Sequence, residues 1–188
     1  MRKLGMELEK QINEANEYYR ENEIALIYKK PTPVQIVRVN YPKRSQAKIT
    51  EAYYKTPSTT DYNGIYQGLY IDFEAKETNS KTSFPLANIQ PHQINHLKKV
   101  FAHKGIAFII FKWVYYSKTY VMDLKYILPW YSSGRKSIPY SAFLKDAWQI
   151  KTGETPCLNY LKCVDKIINA QKLDDFFFTN EWFEEGNY

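Results

Sequence analysis

The clearest structural signal in the chain is the run Tyr70-Ile71-Asp72-Phe73-Glu74-Ala75-Lys76, in which apolar and charged residues alternate. Successive side chains of a β-strand point to opposite faces of the sheet. The apolar side chains of the run therefore share one face, and Asp72, Glu74 and Lys76 share the other. The run predicts a strand with one face in a core and two carboxylates and an ammonium group on the opposite face.

The residues just before this strand predict a β-hairpin. Asn63-Gly64 and Gln67-Gly68 are dipeptides typical of turns, so residues 69–77 are expected to form the longer second strand of the hairpin. Asp61 immediately precedes the hairpin. Folding can therefore bring Asp61 beside Glu74.

Two neighbouring carboxylates have a clear chemical use. They form a hard-oxygen site suited to Mg²⁺ or Mn²⁺, and an adjacent Lys76 can position a water or stabilise charge on a phosphoryl transition state. The same residues also fit an exposed strand face with a surface ion pair, because Glu-x-Lys is frequent on such strands. The bare pattern leaves both interpretations open.

The chain after this strand predicts an α/β fold. A helix that starts at Pro91 and stops at Gly105 is followed by the continuously apolar residues 106–111. This strand–helix–strand order is typical of a buried strand reached by a crossover. Further helices are predicted over residues 4–21, 141–148 and 158–173. We expect a mixed central β-sheet flanked by helices.

Residues 31–56 interrupt this body as a β-ribbon. Residues 34–39 alternate apolar and polar side chains, and residues 49–54 can pair back against them. Two strands alone are marginal in water, so the ribbon should lean on the body, a second copy of the chain, or DNA. We therefore expect one domain over residues 1–170 with the ribbon inserted at 31–56, and an acidic, aromatic tail over residues 171–188.

The ribbon is also the most basic part of a chain whose formal net charge is +6. Residues 28–55 carry seven basic side chains against one glutamate. Such a block attracts polyanions, and nucleic acid offers the densest line of negative charge; a solvated basic face is the alternative. The side chains expected to contact phosphates are Lys29, Lys30, Arg38, Lys43, Arg44 and Lys48.

Other kinds of site find little support in the sequence. The glycines form no phosphate-binding loop, and His92 and His96 lack the glutamate of the zinc-protease motif. Cys157 and Cys163 predict reduced thiols in a cytoplasmic protein. No apolar run approaches the ~20 residues of a membrane span, and the N-terminal residues lack the apolar core of a signal peptide.

Longer strings in the chain resemble a known family. Asp61, Glu74, Ala75 and Lys76 are similar to the metal-site core of the PD-(D/E)XK nuclease fold, which is the restriction-endonuclease-like fold. From about residue 5 to about residue 160 the chain resembles the RecU-type Holliday junction resolvases. The strings that carry this resemblance are residues 28–37, 41–45, 58–64, 71–78, 81–86 and 134–138.

The resemblance assigns roles to particular positions. The metal site would be formed by Thr59, Asp61, Glu74 and Gln93, with Lys76 as the catalytic lysine. Residues 31–56 match a stalk that reaches into the centre of a four-way junction, and Lys29 and Arg44 fall at its basic positions. Leu4 stands where the family usually has an arginine, so either an arginine contact to DNA is missing or Arg2 or Lys3 substitutes for it. We expect Glu9 to be an ordinary helix-surface glutamate.

The resemblance also implies a function. It predicts Mg²⁺-dependent cleavage of four-way DNA junctions, with Mn²⁺ as a substitute, during recombination and repair. A homodimer would nick strands of like polarity symmetrically, and a RecA-type recombinase would be a further partner. Two alternatives remain: a restriction-like nuclease that cuts duplex DNA, and a non-catalytic protein that binds junctions or modulates the recombinase.

Overall fold

The computed structural model describes residues 6–40, 43, 45, 47–54 and 59–184, with side chains as far as residue 172. Within these residues a six-stranded sheet carries helices on both faces, beside two smaller two-stranded sheets. The elements in chain order are α1 (Met6–Glu21), β1 (Leu26–Lys29), β2 (Val34–Asn40), β3 (Lys48–Tyr54), β4 (Tyr62–Tyr66), β5 (Leu69–Thr78), β6 (Ser83–Pro85), a 3₁₀ turn (Leu86–Asn88), α2 (Pro91–Ala102), β7 (Ile106–Trp113), β8 (Lys118–Asp123), α3 (Leu124–Ser132), β9 (Ser137–Pro139), α4 (Tyr140–Asp146), β10 (Trp148–Gln149) and α5 (Leu161–Glu184).

The central sheet is mixed. Its strand order is β1-β4-β5-β7-β8-β10. β5 and β7 run parallel, and the other neighbouring strands of this sheet are antiparallel. The predicted class, a mixed central sheet flanked by helices with a separate β-ribbon, is confirmed.

The crossover between β5 and β7 is the predicted one. α2 begins at Pro91, where the ring pre-sets the backbone for the first turn, and Gln90 and Gln93 cap each other's backbone in a reciprocal box. The helix ends before Gly105, and β7 then pairs with β5 from Ile106 opposite Ile71. α2 therefore runs antiparallel to β5 and lies over one face of it.

A row of aromatic rings determines which face of β5 enters the core. Tyr62, Phe73 and Phe108 are register neighbours on three adjacent strands. Their rings stack at centroid distances of 4.9 and 4.7 Å, and all three are fully buried. Because this row packs against α1 and α5, the alternate residues of β5 must face α2.

The prediction that Asn63-Gly64 forms a turn is wrong. Both residues lie inside β4, and Gly64 pairs with Ile27 of β1. A Cβ at residue 64 would come within 2.6 Å of the Ile27 Cα, so glycine is needed here for the close approach of two backbones. The hairpin turns at Gln67 and Gly68, whose φ angles of 51° and 76° are both left-handed.

Two predicted helix boundaries also differ from the structure. The helix expected over 141–148 is α4, which ends at Asp146 because Trp148 and Gln149 pair with β8 at the sheet edge. The helix expected over 158–173 is α5, which continues to Glu184. The proposed boundary at residue 171 therefore falls inside a helix, and the division into domain and tail stays a prediction.

The β-ribbon consists of β2 and β3, which pair with each other and not, within the described residues, with the central sheet. Most of its side chains are exposed, including apolar ones such as Val34, Ile36, Val37 and Ile49.

Among the described residues, no helix is both long and apolar enough to cross a bilayer.

Deleting residues 34–50 should leave the body folded, since the ribbon strands form their own sheet with exposed side chains. We expect an unchanged far-ultraviolet circular dichroism shape for the body and a Tm within a few degrees of the full chain. Gly64→Ala serves as a destabilising control in the body, with a loss of about 1–3 kcal/mol from overpacking. A deletion variant that no longer unfolds cooperatively would show that the ribbon is part of the core.

Candidate active site

Two carboxylates lie buried on the α2 face of β5. Asp72 is 0% exposed and Glu74 is 1% exposed. Both point away from the aromatic row because Phe73, which lies between them, belongs to it. Burial of two acidic side chains next to each other on one strand is costly unless each has partners, so their partners define the site.

Asp61 is the first partner of Glu74. Tyr62 pairs with Phe73, and continuing this antiparallel register places Asp61 opposite Glu74. The Asp61 backbone N–H donates to Glu74 Oε2 at 3.2 Å, and the two carboxyl groups lie within hydrogen-bonding reach. The structure thus brings together the two carboxylates that the order of the chain places near one another.

Lys76 is the second partner. Its Nζ lies 3.2 Å from Glu74 Oε1, and its side chain is 17% exposed. One oxygen of Glu74 therefore contacts an ammonium group and the other accepts from a backbone N–H. Lys76 remains reachable from solvent, so an anion can approach it.

The electrostatics of Glu74 fit a cation site. Burial, reinforced by the neighbouring Asp61 carboxyl, raises the pKa of Glu74 to about 8, although Lys76 opposes the change. Near neutral pH a buried carboxyl of this kind holds a proton that a divalent cation would displace. The described residues hold no group of three His, Cys, Asp or Glu side chains placed to bind a metal. Two carboxylates completed by neutral oxygens and water suit Mg²⁺.

The other two predicted metal ligands make different contacts. Thr59 Oγ1 donates to the Thr60 carbonyl at 3.3 Å. Gln93 is 7% exposed, and its Oε1 accepts from the Gln90 N–H at 2.9 Å as part of the helix cap. Gln93 lies one turn of α2 before His96, on the side of Glu74, because α2 is antiparallel to β5. Metal ligation by Thr59 and Gln93 stays a prediction.

Asp72 has a separate set of partners, which the sequence did not reveal as a site. Its carboxylate accepts hydrogen bonds from Lys30 Nζ at 2.7 Å, from the Tyr70 hydroxyl at 2.9 Å and from the Thr60 hydroxyl. His96 Nε2 lies 3.0 Å from the same carboxylate. The alternation of β5 placed Asp72 beside Glu74, and that spacing is the signal that could have marked it.

The predicted phosphate contacts divide into exposed and engaged side chains. Arg38, Lys43 and Lys48 are exposed in or next to the ribbon. Lys29 Nζ pairs with Glu9 Oε2 at 2.5 Å, and both side chains are about 40% exposed, so Glu9 lies on the helix surface as one partner of an ion pair. Lys30 is 17% exposed and bound to Asp72. Leu4 and Arg44 lie outside the described residues.

Comparison with known proteins identifies the family. The family model described as "RecU: Recombination protein U" matches residues 3–166. The chain belongs to the RecU family. The family resemblance read from the sequence is therefore confirmed.

Curated RecU proteins are similar along most of their length. "Holliday junction resolvase RecU" of Geobacillus kaustophilus is 52% identical over 167 residues, which cover 87% of this chain and 84% of that protein. The protein of the same description from Bacillus thuringiensis (strain Al Hakam) is 50% identical over 167 residues, with the same coverage of both chains. Among solved structures, Archaeoglobus fulgidus Hjc, a Holliday junction resolvase, aligns with a TM-score of 0.41 and 8% identity, over 72% of this chain and 93% of that chain.

The raised pKa of Glu74 predicts a pH-dependent stability in the metal-free protein. Between the ordinary glutamate pKa of 4.5 and the folded value of about 8, the native state holds a proton that the unfolded state has lost. The free energy of unfolding should therefore fall by a few kcal/mol as pH rises through this window. Urea denaturation at pH values across the window measures it.

Glu74→Gln should remove most of this pH dependence, because the amide keeps the shape of the neutral carboxyl and cannot ionise. The control is Glu14→Gln, at an exposed ion pair with Lys10, which should keep the wild-type slope. Equal slopes for wild type and Glu74→Gln would contradict a protonated Glu74.

Proposed function

We propose that this chain is a Mg²⁺-dependent endonuclease that resolves four-way (Holliday) DNA junctions during homologous recombination and DNA repair. The proposal includes a homodimer that nicks two strands of like polarity symmetrically. Membership of the RecU family supports junction cleavage. The single observation that carries the chemistry is the buried Glu74 carboxyl, which contacts both Asp61 and Lys76.

The proposed chemistry is hydrolysis of a phosphodiester. A bound divalent ion would neutralise the scissile phosphate and lower the pKa of a bound water. Asp61 and Glu74 would hold that ion, because with both carboxyls ionised their negative charge would not be balanced by Lys76 alone. The Lys76 ammonium is kept beside the pair by Glu74 and can donate hydrogen bonds to phosphate oxygens as charge develops. Mn²⁺ should substitute, because it prefers the same oxygen ligands.

The proposed binding mode relies on shape and charge. Exposed cations of the ribbon, such as Arg38 and Lys48, would contact phosphates, which fix orientation without reading base sequence. Selection of junctions would then depend on whether the shape of the DNA can accommodate the ribbon. The exposed apolar side chains of the ribbon also favour a second copy of the chain as a partner.

Two further parts of the proposal concern cellular context. A RecA-type recombinase is proposed as a partner on the family resemblance. A cytoplasmic location is supported by the two cysteines, exposed Cys157 and buried Cys163, which are both free thiols.

A cleavage assay tests the function directly. A four-way junction and a linear duplex of the same arm sequence are incubated with the protein, with Mg²⁺ or with EDTA. We expect paired nicks in the junction with Mg²⁺ and none with EDTA, and a loss of junction preference on deletion of residues 34–50. Equal cutting of the linear duplex would favour a restriction-like nuclease.

Asp61→Asn and Glu74→Gln should each reduce junction cleavage by at least about 10²-fold, as expected when a preorganised electrostatic group is removed. Both variants should still bind the junction, because the ribbon cations are unchanged. Gel-shift binding and single-turnover cleavage separate the two effects, with Glu14→Gln as the unaffected control. A wild-type protein that binds junctions but cuts with no divalent ion would instead support a non-catalytic role.

A further inference from the structure

The Asp72 cluster is a buried polar network next to the candidate active site. We define it as Asp72 with the four side chains that surround its carboxylate: Lys30, Thr60, Tyr70 and His96. Asp72 is 0% exposed. The five residues come from four separate parts of the chain: the residue that follows β1, the segment before β4, β5 itself and α2.

The cluster holds both ends of the ribbon insertion. β1 of the central sheet ends at Lys29 and β4 begins at Tyr62, so Lys30 and Thr60 lie just outside the sheet at the two ends of the insertion. We call these two residues the roots of the ribbon. Both side chains donate hydrogen bonds to the Asp72 carboxylate. The roots are also joined directly, since Lys30 Nζ donates to Thr60 Oγ1 at 3.0 Å and the Lys30 N–H donates to the Asp61 carbonyl at 2.7 Å.

A ribbon of two strands needs contacts of this kind at its roots to hold its orientation relative to the body. β2 and β3 have exposed side chains and, within the described residues, pair only with each other. A two-stranded ribbon has no core to hold its direction. The direction in which it leaves the body must therefore be determined at its roots, and Asp72 is the group that both roots share.

The same strand also carries Glu74 of the candidate metal site. Asp72 and Glu74 lie on one face of β5, roughly 7 Å apart along the strand. Thr60, one of the roots, is followed immediately by Asp61, whose backbone contacts Glu74. A shift of the roots would therefore move Asp61 relative to Glu74.

Lys30 is committed to this cluster. Its ammonium contacts the Asp72 carboxylate at 2.7 Å and Thr60 at 3.0 Å, and lies 3.5 Å from His96 Nε2. Moving that charge to a DNA phosphate would leave a buried carboxylate without its cation, which is strongly unfavourable. The charge of Lys30 therefore belongs to the root of the ribbon, whereas the exposed Lys48 and Arg38 are available to DNA.

We propose that Asp72 is a positioning residue that clamps the two roots of the ribbon and so sets the ribbon's direction relative to the Asp61–Glu74 pair. Through this clamp, Asp72 and Lys30 determine the preference for four-way junctions over duplex DNA. This second statement rests on the proposed function, because it takes the ribbon as the part that selects junctions.

The clamp itself is tested without DNA. Spin labels are attached to Val37→Cys on the ribbon and Leu144→Cys on α4, two exposed positions, in a Cys157→Ser background. Labelled chains are diluted with unlabelled protein, and the label–label distance distribution is measured by pulsed electron paramagnetic resonance. Asp72→Asn and Lys30→Met should both widen the distribution. An unchanged distribution in folded Asp72→Asn would overturn the clamp.

The consequence for recognition is tested by binding in EDTA to a four-way junction and to a linear duplex, over a series of salt concentrations. Asp72→Asn and Lys30→Met should each lower the junction-over-duplex affinity ratio by roughly tenfold, within the usual range of coupling between sites. The double variant should be no worse than either single variant. Neither change should alter the salt slope, whereas Lys48→Met should reduce it by about 0.9.

The opposite pattern would overturn the assignment. If Lys30 contacts phosphate, Lys30→Met reduces the salt slope by about 0.9 and Asp72→Asn leaves junction binding equal or tighter. Circular dichroism establishes that each variant is folded. If Asp72→Asn does not fold, Thr60→Val removes one root contact alone, and an unchanged affinity ratio and distance distribution in that variant would refute the clamp. If the wild-type protein shows no preference for junctions over duplex DNA, the proposed function is wrong. The spin-label distance distribution still tests the clamp independently of that result.

Discussion

The burial of Glu74 beside a second carboxylate is the constraint around which the structure is arranged. Glu74 lies on the α2 face of β5 because its neighbour Phe73 belongs to the stacked aromatic row on the other face. Asp61 is brought to it by the β4–β5 register, and Lys76 offsets only part of the charge. Burial, reinforced by the Asp61 carboxyl, raises the pKa of Glu74 to about 8, and a divalent cation would lower the cost of ionising Glu74.

One strand thus connects the core, the candidate metal site and the roots of the ribbon. Ile71, Phe73 and Ala75 of β5 pack into the core that contains the aromatic row. On the other face, Asp72 contacts the roots of the ribbon and Glu74 contributes to the candidate metal site. Because both acids project from the same rigid strand, the position of the ribbon is coupled to the position of Asp61. Under the proposed function, such coupling would keep the ribbon and the reacting groups in a defined geometry relative to each other.

The sequence predicts those features of the fold and the site that depend on residues close together in the chain. Alternation on β5 and the Pro91-to-Gly105 crossover predicted the sheet, and chain order placed Asp61 beside Glu74. The partners of Asp72 could not be predicted this way, because Lys30 is 42 residues distant and no periodicity links it to β5. Asn63-Gly64 was misread because a glycine required by the close approach of β1 has the same sequence signature as a turn.

The most direct test of the account is calorimetric titration of Mn²⁺ into the metal-free protein, below the Glu74 pKa of about 8 and in two buffers of different ionisation enthalpy. We expect saturable binding with release of about one proton per ion, since Glu74 must ionise to bind the metal. Glu74→Gln should weaken binding by at least about tenfold, in the range seen for lost metal-site groups, and abolish the proton release. Binding of equal affinity by wild type and Glu74→Gln, with no proton released, would contradict it.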